Sequence, residues 1–339
     1  MNLPPLPLVD GCLIFDNSSI EKYRCPRLWQ YSELDLKSPV AARAGANFGS
    51  TIHRGLETRY NVCGTEPVDA PAVITLESAM FRWLEEHPQP EQDFRNFDHA
   101  CKMMRVYNKI YGREAFRIIP NAHGKPLIEN SFLFPFAFWD GHDVNPWTQD
   151  HDKAQDMVLA GLSPIYYSGK LDLGIEDNNG IWSFDHKTTF MFGEGFAKQM
   201  AMDGGQLGYT WALQQTTGRQ PRGYIIDAIR VRRPTVKQGF TGESPIDATD
   251  FSRTPYDVTP DMLDEWRLDV MQIMKSILLN HTAGHFPRHR WQCVNKYGMC
   301  EFYDVCSTPR AQRDMVLNSG MFEENKWSKG LKTQSEESK

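Results

Sequence analysis

The most regular alternation of apolar and polar positions lies between Tyr166 and Thr189. In an extended chain, successive side chains point to opposite faces, so apolar residues two apart share one face. The apolar positions on these faces are Leu171, Leu173, Ile175, Trp182 and Phe184. Between the two runs, residues 177–180 read Asp-Asn-Asn-Gly, which is a strong signal for a tight turn. The pattern therefore predicts a β-hairpin.

The predicted hairpin brings two carboxylates together. Glu176 pairs with Ile181 whether two or four residues form the turn. This register sets Asp172 opposite Asp185, with Lys187 on the same face as Asp185. Opposed strand residues have Cβ atoms roughly 5 Å apart, and like charges placed so are destabilising. We therefore predict a cation between the carboxylates, in a site suited to phosphate chemistry; the alternative is a solvated surface hairpin, on which Asp and Lys are common.

Helical periodicity and capping residues predict helices in much of the remaining chain. These helices cover about 18–31, 50–57, 72–87, 93–111, 196–217 and 260–282. A cap at Ser50 or Thr51 places His53 in the first turn of its helix. Runs of β-branched and aromatic residues predict two further strands, at 129–139 and 223–232. The chain thus mixes helices with a β-sheet.

Composition places the chain among ordinary globular proteins. Of its 339 residues, 40% are hydrophobic and 24% are charged, and no apolar run is long enough to span a bilayer. The first residues lack a basic segment before an apolar one, so we predict a cytoplasmic protein that binds no membrane. The net charge of −6 does not indicate a nucleic-acid binder, but a basic stripe at Arg230, Arg232 and Arg233 permits one. The alternative for this stripe is a solvated strand end.

Three of the seven cysteines fall in one short segment, at Cys293, Cys300 and Cys306. Cys25 is a fourth candidate near the other end of the chain. Thiolates suit either tetrahedral zinc or an iron–sulfur cluster, and structural zinc sites usually pair cysteines two to four residues apart. Because no such pair exists here, the spacing favours a cluster with a structural role. The alternative is a set of buried, apolar cysteines, which are common.

In order and approximate spacing, these motifs resemble the PD-(D/E)XK nuclease superfamily, and within it the RecB-like branch with iron–sulfur clusters. That branch includes the AddB nuclease domain and the CRISPR adaptation nucleases. The matching features are Gly-Ser-Thr-Ile-His53, Gly-Lys-Leu-Asp172, Asp185-His-Lys187, Gln206-Leu-Gly-Tyr209 and the one-plus-three cysteine arrangement. Each motif alone is weak, but five in the right order over about residues 17–306 are a specific signal.

The resemblance implies an α/β (α+β) fold of the restriction-endonuclease-like type, in which helices flank a mixed central β-sheet. It implies one nuclease domain over residues 1–311, with a helical insertion at about 70–112. A polar tail would follow at 312–339. An iron–sulfur cluster would tie together the N- and C-terminal segments, 17–31 and 290–308.

The resemblance also implies a set of metal ligands. His53, Asp172 and Asp185 would bind the metal, joined by the backbone carbonyl of His186. Glu129 sits where relatives often have an acidic residue, and it ranks below the other ligands. Carboxylate oxygens suit Mg²⁺ or Mn²⁺, and a histidine nitrogen tilts the preference toward Mn²⁺.

The remaining roles follow from the same resemblance. Lys187 would orient the attacking water or stabilise charge on the phosphate. Gln206 and Tyr209 would position that lysine or contact DNA. Independently of the resemblance, Tyr209, Trp211 or other exposed aromatic residues could stack unpaired bases. A [4Fe–4S] cluster would be held by Cys25, Cys293, Cys300 and Cys306. Two departures stand out, since an aspartate replaces the commoner glutamate at Asp185 and the first C-terminal cysteine gap is six residues rather than two.

These features predict a metal-dependent deoxyribonuclease. The leading hypothesis is a DNA exonuclease acting on ends or single strands in recombination, repair or phage DNA metabolism. A structure-specific endonuclease would use the same chemistry. Two alternative hypotheses from other functional classes are a nucleic-acid-binding module on a nuclease scaffold and a structural zinc protein without catalysis.

Overall fold

The structure is a computed structural model of the chain. It describes residues 6, 8–9, 12–39, 44–88, 93–232, 235–237, 240–242, 246–295 and 298–324.

Runs of helices and runs of strands follow one another along the chain. The helices are α1 (Asn17–Lys22), α2 (Pro26–Trp29), α3 (Ala44–Cys63), α4 (Ala70–Glu86), α5 (Phe97–Ile110), α6 (His151–Leu159), α7 (Glu194–Ala201), α8 (Gly204–Thr217), α9 (Pro260–Thr282), α10 (Tyr303–Ser307) and α11 (Arg313–Leu317). A π-helix at Gln30–Leu34 and short 3₁₀ turns at Ala248–Asp250, Arg290–Gln292 and Arg310–Gln312 complete them. Among the described helices, none combines the length and the apolar character needed to cross a membrane.

Long and short strands accompany these helices. They are β1 (Leu8–Val9), β2 (Cys12–Asp16), β3 (Lys37–Pro39), β4 (Arg117–Ile118), β5 (Ile128–Trp139), β6 (Val144–Pro146), β7 (Ser163–Asp177), β8 (Gly180–Thr189), β9 (Gly223–Arg230), β10 (Thr235–Lys237), β11 (Phe240–Gly242), β12 (Phe251–Asp257), β13 (Val294–Asn295), β14 (Gly298–Met299) and β15 (Phe322–Glu324).

Two compact units divide the chain. The first contains Met1–Ala41, Ser131–Gly169 and Asp264–Lys339, and the second contains Ala42–Asn130 and Lys170–Leu263. The long strands β5 and β7 contribute residues to both units. The sequence prediction of a single nuclease domain stays a prediction.

The second unit has a mixed sheet built around the predicted hairpin. β7 and β8 pair antiparallel across a two-residue turn, and Glu176 lies opposite Ile181, which confirms the predicted register. β8 then pairs in parallel with β9, and β9 pairs antiparallel with β12. A mostly antiparallel sheet flanked by helices is thus present, as the α/β prediction required.

Helices α3, α4 and α5 form one hydrophobic core with this sheet. Leu173 and Ile175 of β7 and Phe184 of β8 pack there with apolar residues of the three helices. Gly49 lets α3 approach β8 closely, because a Cβ at that position would lie 2.9 Å from Thr188 Oγ1. This close approach brings the middle of α3 to the strand that contains Asp185 and Lys187.

The first unit buries apolar side chains of β2, β5 and α9, among them Phe15, Phe136 and Met274. β2 pairs in parallel with the first half of β7 and antiparallel with β1, and β5 pairs with β6. One cluster of buried residues in this unit includes Leu28, Tyr31, Phe302, Val305, Leu317 and Phe322. Two of these, Leu317 and Phe322, belong to α11 and β15, so the region predicted as a polar tail from residue 312 is folded up to residue 324. Residues 325–339 lie outside the described residues.

Several helix boundaries differ from the sequence predictions. α3 begins at Ala44, so the placement of His53 in a first turn capped by Ser50 or Thr51 is wrong, and His53 lies in the middle of the helix. The helix predicted over 196–217 is two helices, because Asp203 caps a new helix with a side-chain hydrogen bond to the Gly205 N–H at 2.8 Å. The predictions for α9 and β5 agree with the structure within one residue.

Candidate active site

The two predicted carboxylates, Asp172 and Asp185, lie just beyond the end of the β7–β8 ladder. The paired residues run only as far as Leu173 opposite Phe184, one step short of Asp172 and Asp185. Instead of continuing the ladder, Asp172 Oδ2 accepts a hydrogen bond from the backbone N–H of His186 at 2.9 Å. The hairpin therefore opens where the like charges meet, which relieves the repulsion that direct pairing would impose.

His53 and Glu129 join Asp172 in one group. His53 Nδ1 lies 3.5 Å from Asp172 Oδ2 and 3.9 Å from Glu129 Oε1. One ligand atom from each of the three residues lies within 4.8 Å of the other two. Glu129 adopts a φ of 47°, a left-handed conformation that is uncommon for a residue with a side chain and that often accompanies functional positions. Glu129, ranked low from the sequence, is thus a member of the group.

Charge interactions within this group are strong. Burial alone would lower the pKa of His53, but Asp172 and Glu129 outweigh it and raise the pKa to about 9. Burial raises the pKa of Asp172, and the nearby carboxylates of Asp185 and Glu129 raise it further against the opposing effect of His53. Burial also opposes the charge on Glu129, yet His53 and Lys170 lower its pKa to about 2. A protonated His53 thus holds the carboxylates together, and a metal ion would displace its proton.

Lys187 lies beside this group on β8. Its Nζ is 2.9 Å from Asp185 Oδ2. Burial would lower the pKa of Lys187, but the Asp185 carboxylate outweighs it, so the pKa is raised and the ammonium stays charged. Asp185 Oδ2 is buried and accepts no hydrogen bond of good geometry within the described residues, although this ion pair reaches it. Asp185 therefore retains an oxygen that can serve a further cation.

Helix α8 presents its predicted residues to the same strand. It contacts β8, and the hydroxyls of Ser183 and Thr210 lie 3.2 Å apart at that contact. Gln206 is buried, and its Oε1 has no hydrogen-bond partner in the described part of the chain. Tyr209 lies close enough to Lys187 to raise its pKa. Trp211 is only 4% exposed, so the prediction that it could stack unpaired bases is wrong.

The His186 side chain is part of a buried hydrogen-bond network that the sequence analysis missed. Its Nδ1 lies 2.7 Å from Asp227 Oδ2 on the neighbouring strand, and Tyr107 donates to the same oxygen at 2.7 Å. Arg253 then binds Asp227 Oδ1 at 3.0 Å and Glu114 Oε1 at 3.0 Å. A signal was present, because Asp227 is the one acidic residue in the mostly apolar strand β9 and a buried carboxylate needs partners. These contacts fix His186, whose backbone the resemblance assigns to the metal.

Lys170 is a second missed residue, since its ammonium forms an ion pair with Glu129. The role of the basic stripe in DNA binding stays a prediction, but two of its arginines have an acidic partner. Arg230 Nε lies 2.8 Å from Asp250 Oδ1, and Arg232 Nε lies 2.5 Å from the same atom. Two arginines that share a carboxylate already have part of their charge neutralised. Arg233 lies outside the described residues.

The four predicted cluster cysteines line one cavity in the first unit. The cavity has a volume of about 400 Å³, and its lining includes Cys25, Cys293, Cys300 and Cys306. Cys25 precedes Pro26 at the start of α2, while the other three come from the segment around β13, β14 and α10. Burial, followed by the neighbouring thiols, raises the pKa of Cys306 to about 11, and burial raises that of Cys300. The thiols of Cys300 and Cys306 would therefore lose their protons only on binding a cation.

The spacing of these sulfur atoms bears on whether the cavity could hold a single zinc ion. Ligands of one zinc ion lie about 4 Å apart, because each Zn–S bond is about 2.3 Å and the geometry is tetrahedral. Within the described residues, the only ligand atoms that gather this closely in threes belong to His53, Glu129 and Asp172. The cavity also holds the side chains of Arg24 and Arg288, which suit an anionic group. Among the described residues, the four cysteines thus share one cavity without gathering as closely as the ligands of a single zinc ion.

The carboxylate group passes a corresponding test for a divalent cation. Two carboxylates and an imidazole nitrogen are within the range of one ion, and hard oxygen donors with a nitrogen suit Mg²⁺ or Mn²⁺. Asp185 lies close enough to change the pKa values of both His53 and Asp172. The donor set therefore fits a metal ion used in phosphate chemistry.

Comparison with known proteins points in the same direction. A search of curated proteins finds no match. The sequence model of the PD-(D/E)XK nuclease superfamily matches residues 17–307, a region from the first residue of α1 to the last of α10. This match covers most of the chain and includes both the carboxylate group and the four cysteines. The chain therefore belongs to the PD-(D/E)XK nuclease superfamily.

Proposed function

We propose that this protein is a metal-dependent deoxyribonuclease of the RecB-like, iron–sulfur branch, and that it degrades DNA as an exonuclease from ends or along single strands. The observation that carries the proposal is the convergence of His53, Glu129 and Asp172 within 4.8 Å, beside the Lys187–Asp185 ion pair. Recombination, repair or phage DNA metabolism are the processes that need such an activity.

His53, Glu129, Asp172 and Asp185 are the proposed side-chain ligands, with the backbone carbonyl of His186. A bound Mg²⁺ or Mn²⁺ supplies an acidified water and neutralises charge on the phosphate. Asp172 is held in place by the His186 N–H, so one ligand is positioned before a metal arrives.

Lys187 supplies the second positive charge of the site. Its ammonium is anchored to Asp185 and is fixed close to where a phosphate would meet the carboxylates. Such a preorganised charge stabilises the negative charge that develops during phosphodiester hydrolysis. Gln206 and Tyr209 on α8 are the proposed positioning residues for this lysine. Gln206 Oε1 has no hydrogen-bond partner among the described residues, so it is available to accept a hydrogen bond from the substrate or from a water.

The four cysteines are proposed to hold a [4Fe–4S] cluster in the first unit. Support comes from the shared cavity, the soft donors and the two arginines that line it. Its proposed role is structural, because it would link Cys25 to a segment more than 260 residues later and restrict the unfolded chain.

The nuclease proposal is tested with end-labelled linear DNA in single-stranded and double-stranded form. We expect Mn²⁺- or Mg²⁺-dependent release of label by the purified protein and none by Asp172→Ala. Mononucleotide products from the start of the reaction indicate an exonuclease, whereas internal fragments indicate an endonuclease. Equal degradation by Asp172→Ala would place the metal site elsewhere, and binding without cleavage would favour a nucleic-acid-binding module.

A further inference from the structure

Phe190 and Met191 are exposed apolar side chains immediately after β8. The exposed fraction is 48% for Phe190 and 43% for Met191. They follow Lys187 by three and four residues, and at a strand rise of about 3.3 Å per residue the Phe190 backbone is about 10 Å or less from that of Lys187. Because they are adjacent to each other and close along the chain to the candidate active site, these side chains are a candidate binding surface.

The backbone around these two residues is held in a defined turn. Thr189 Oγ1 accepts the Met191 N–H at 3.0 Å and donates to the Met191 carbonyl at 3.0 Å. Phe192 turns back toward the protein, where its ring stacks on Phe196 with 6.4 Å between centroids. The exposure of Phe190 and Met191 is therefore a consequence of an ordered turn, and their positions relative to β8 are fixed.

The charges near this surface are already compensated. The Arg95 guanidinium lies 5.9 Å from the centroid of the Phe190 ring, but Arg95 forms a bidentate ion pair with Asp93. Arg230 lies 5.1 Å from the Phe192 centroid and pairs with Asp250. A surface with an aromatic face and balanced charges suits a planar, neutral ligand better than a phosphate.

We propose that Phe190 and Met191 form a stacking surface for an unpaired nucleobase of the substrate, in the nucleotides next to the phosphate that is cleaved. This proposal rests on the proposed nuclease function. Every base has a π-face that stacks on an aromatic ring, and the Met thioether makes similar contacts, so the surface binds bases without reading sequence. A paired base has its faces covered by its neighbours, so this surface selects single-stranded DNA over an intact duplex.

The test removes the Phe190 and Met191 side chains from the protein and, separately, the nucleobases from the DNA. Fluorescence anisotropy with Ca²⁺ in place of Mg²⁺ measures binding of a labelled oligothymidylate of about 12 nucleotides and of an abasic strand of equal length. Wild-type protein should bind the thymidine strand about tenfold more tightly, and Phe190→Ala/Met191→Ala should reduce this ratio to near one. Phe190→Tyr keeps the aromatic ring and should keep the ratio, whereas Phe190→Leu should lose most of it.

Phe81→Ala is the matched control, because Phe81 is 46% exposed in the same unit but lies on α4. It should bind both strands as wild type does. A wild-type protein with no preference for the thymidine strand, an unchanged preference in the double variant, or an equal loss in Phe81→Ala would each overturn the proposal.

Hydrolysis of bis(p-nitrophenyl) phosphate with Mn²⁺ separates this inference from the proposed function. This small diester has no nucleobase, so Phe190→Ala/Met191→Ala should hydrolyse it at the wild-type rate. Absence of hydrolysis in every protein would contradict the nuclease proposal, whereas the anisotropy ratio needs no cleavage and decides the stacking proposal by itself.

Discussion

The carboxylate group and the cysteine cavity are two candidate metal sites built on different principles. The carboxylate group is compact and charged, with His53 3.5 Å from Asp172, and its ligand atoms are already near the spacing of one ion. The cysteine cavity is wide, at about 400 Å³, and burial raises the pKa values of Cys300 and Cys306. Opposite charges draw the first site together without a metal, whereas neutral thiols have no comparable attraction. The ligands of the carboxylate group are therefore positioned before a metal binds. The Cys300 and Cys306 thiols of the cysteine cavity become charged only when their metal group binds.

Removing the Lys187 charge should break the first site most severely. Lys187→Met is expected to lower kcat by about 10²- to 10³-fold, the usual loss when one preorganised stabilising group is removed. The measurement is the rate of oligonucleotide cleavage at saturating Mn²⁺. Lys198→Met is the control, because Lys198 is an exposed lysine on α7 that pairs with Glu194. A decrease below tenfold in Lys187→Met would contradict the assigned role.

Glu129→Gln tests whether the residue ranked lowest from the sequence is a ligand. Loss of a ligand charge should raise the Mn²⁺ concentration for half-maximal activity by at least about tenfold, with a smaller change at saturating metal. Glu77→Gln is the control, since Glu77 on α4 pairs with Arg105 outside the group. An unchanged Mn²⁺ requirement would show that Glu129 only holds His53 and Lys170.

Cys300→Ser addresses the second site alone. We expect the purified variant to lose broad visible absorption and bound iron, and to melt about 5 °C lower, because a link between distant segments is removed. Bis(p-nitrophenyl) phosphate hydrolysis below the melting range should change less than threefold. Cys12→Ser, on β2 of the same unit, should keep its colour. A colourless wild-type protein with one zinc per chain would contradict the cluster.

Asp35 gives the smallest effect and touches neither site. Burial raises its pKa to about 6, so its stabilising contribution is complete below about pH 4 and is lost as the pH rises through about 6. Asp35→Asn should therefore be more stable than wild type at pH 7.5, by about 1 kcal/mol after allowance for its partial exposure, and equal to it below pH 4. Thermal melts at several pH values measure this difference, and a gap that is constant with pH would contradict the assignment.

The sequence predicts the local features of this fold better than the contacts between distant residues. The turn chemistry of residues 177–180 and the alternation around it gave the hairpin and its register, because both depend on neighbours along the chain. The same reasoning placed α9 and β5, since caps and periodicity are local signals. It failed at the start of α3, where packing against β8 extends the helix beyond Ser50.

The sequence by itself determined which residues could supply the chemistry and in what order they occur. Only the tertiary structure decided that Glu129 joins His53 and Asp172, that Asp227 holds His186, and that Trp211 is buried. Neighbouring residues constrain each other through backbone geometry, which a sequence displays directly. Residues far apart in the chain meet only when helices pack on a sheet, and that packing depends on the shapes of all the side chains between them.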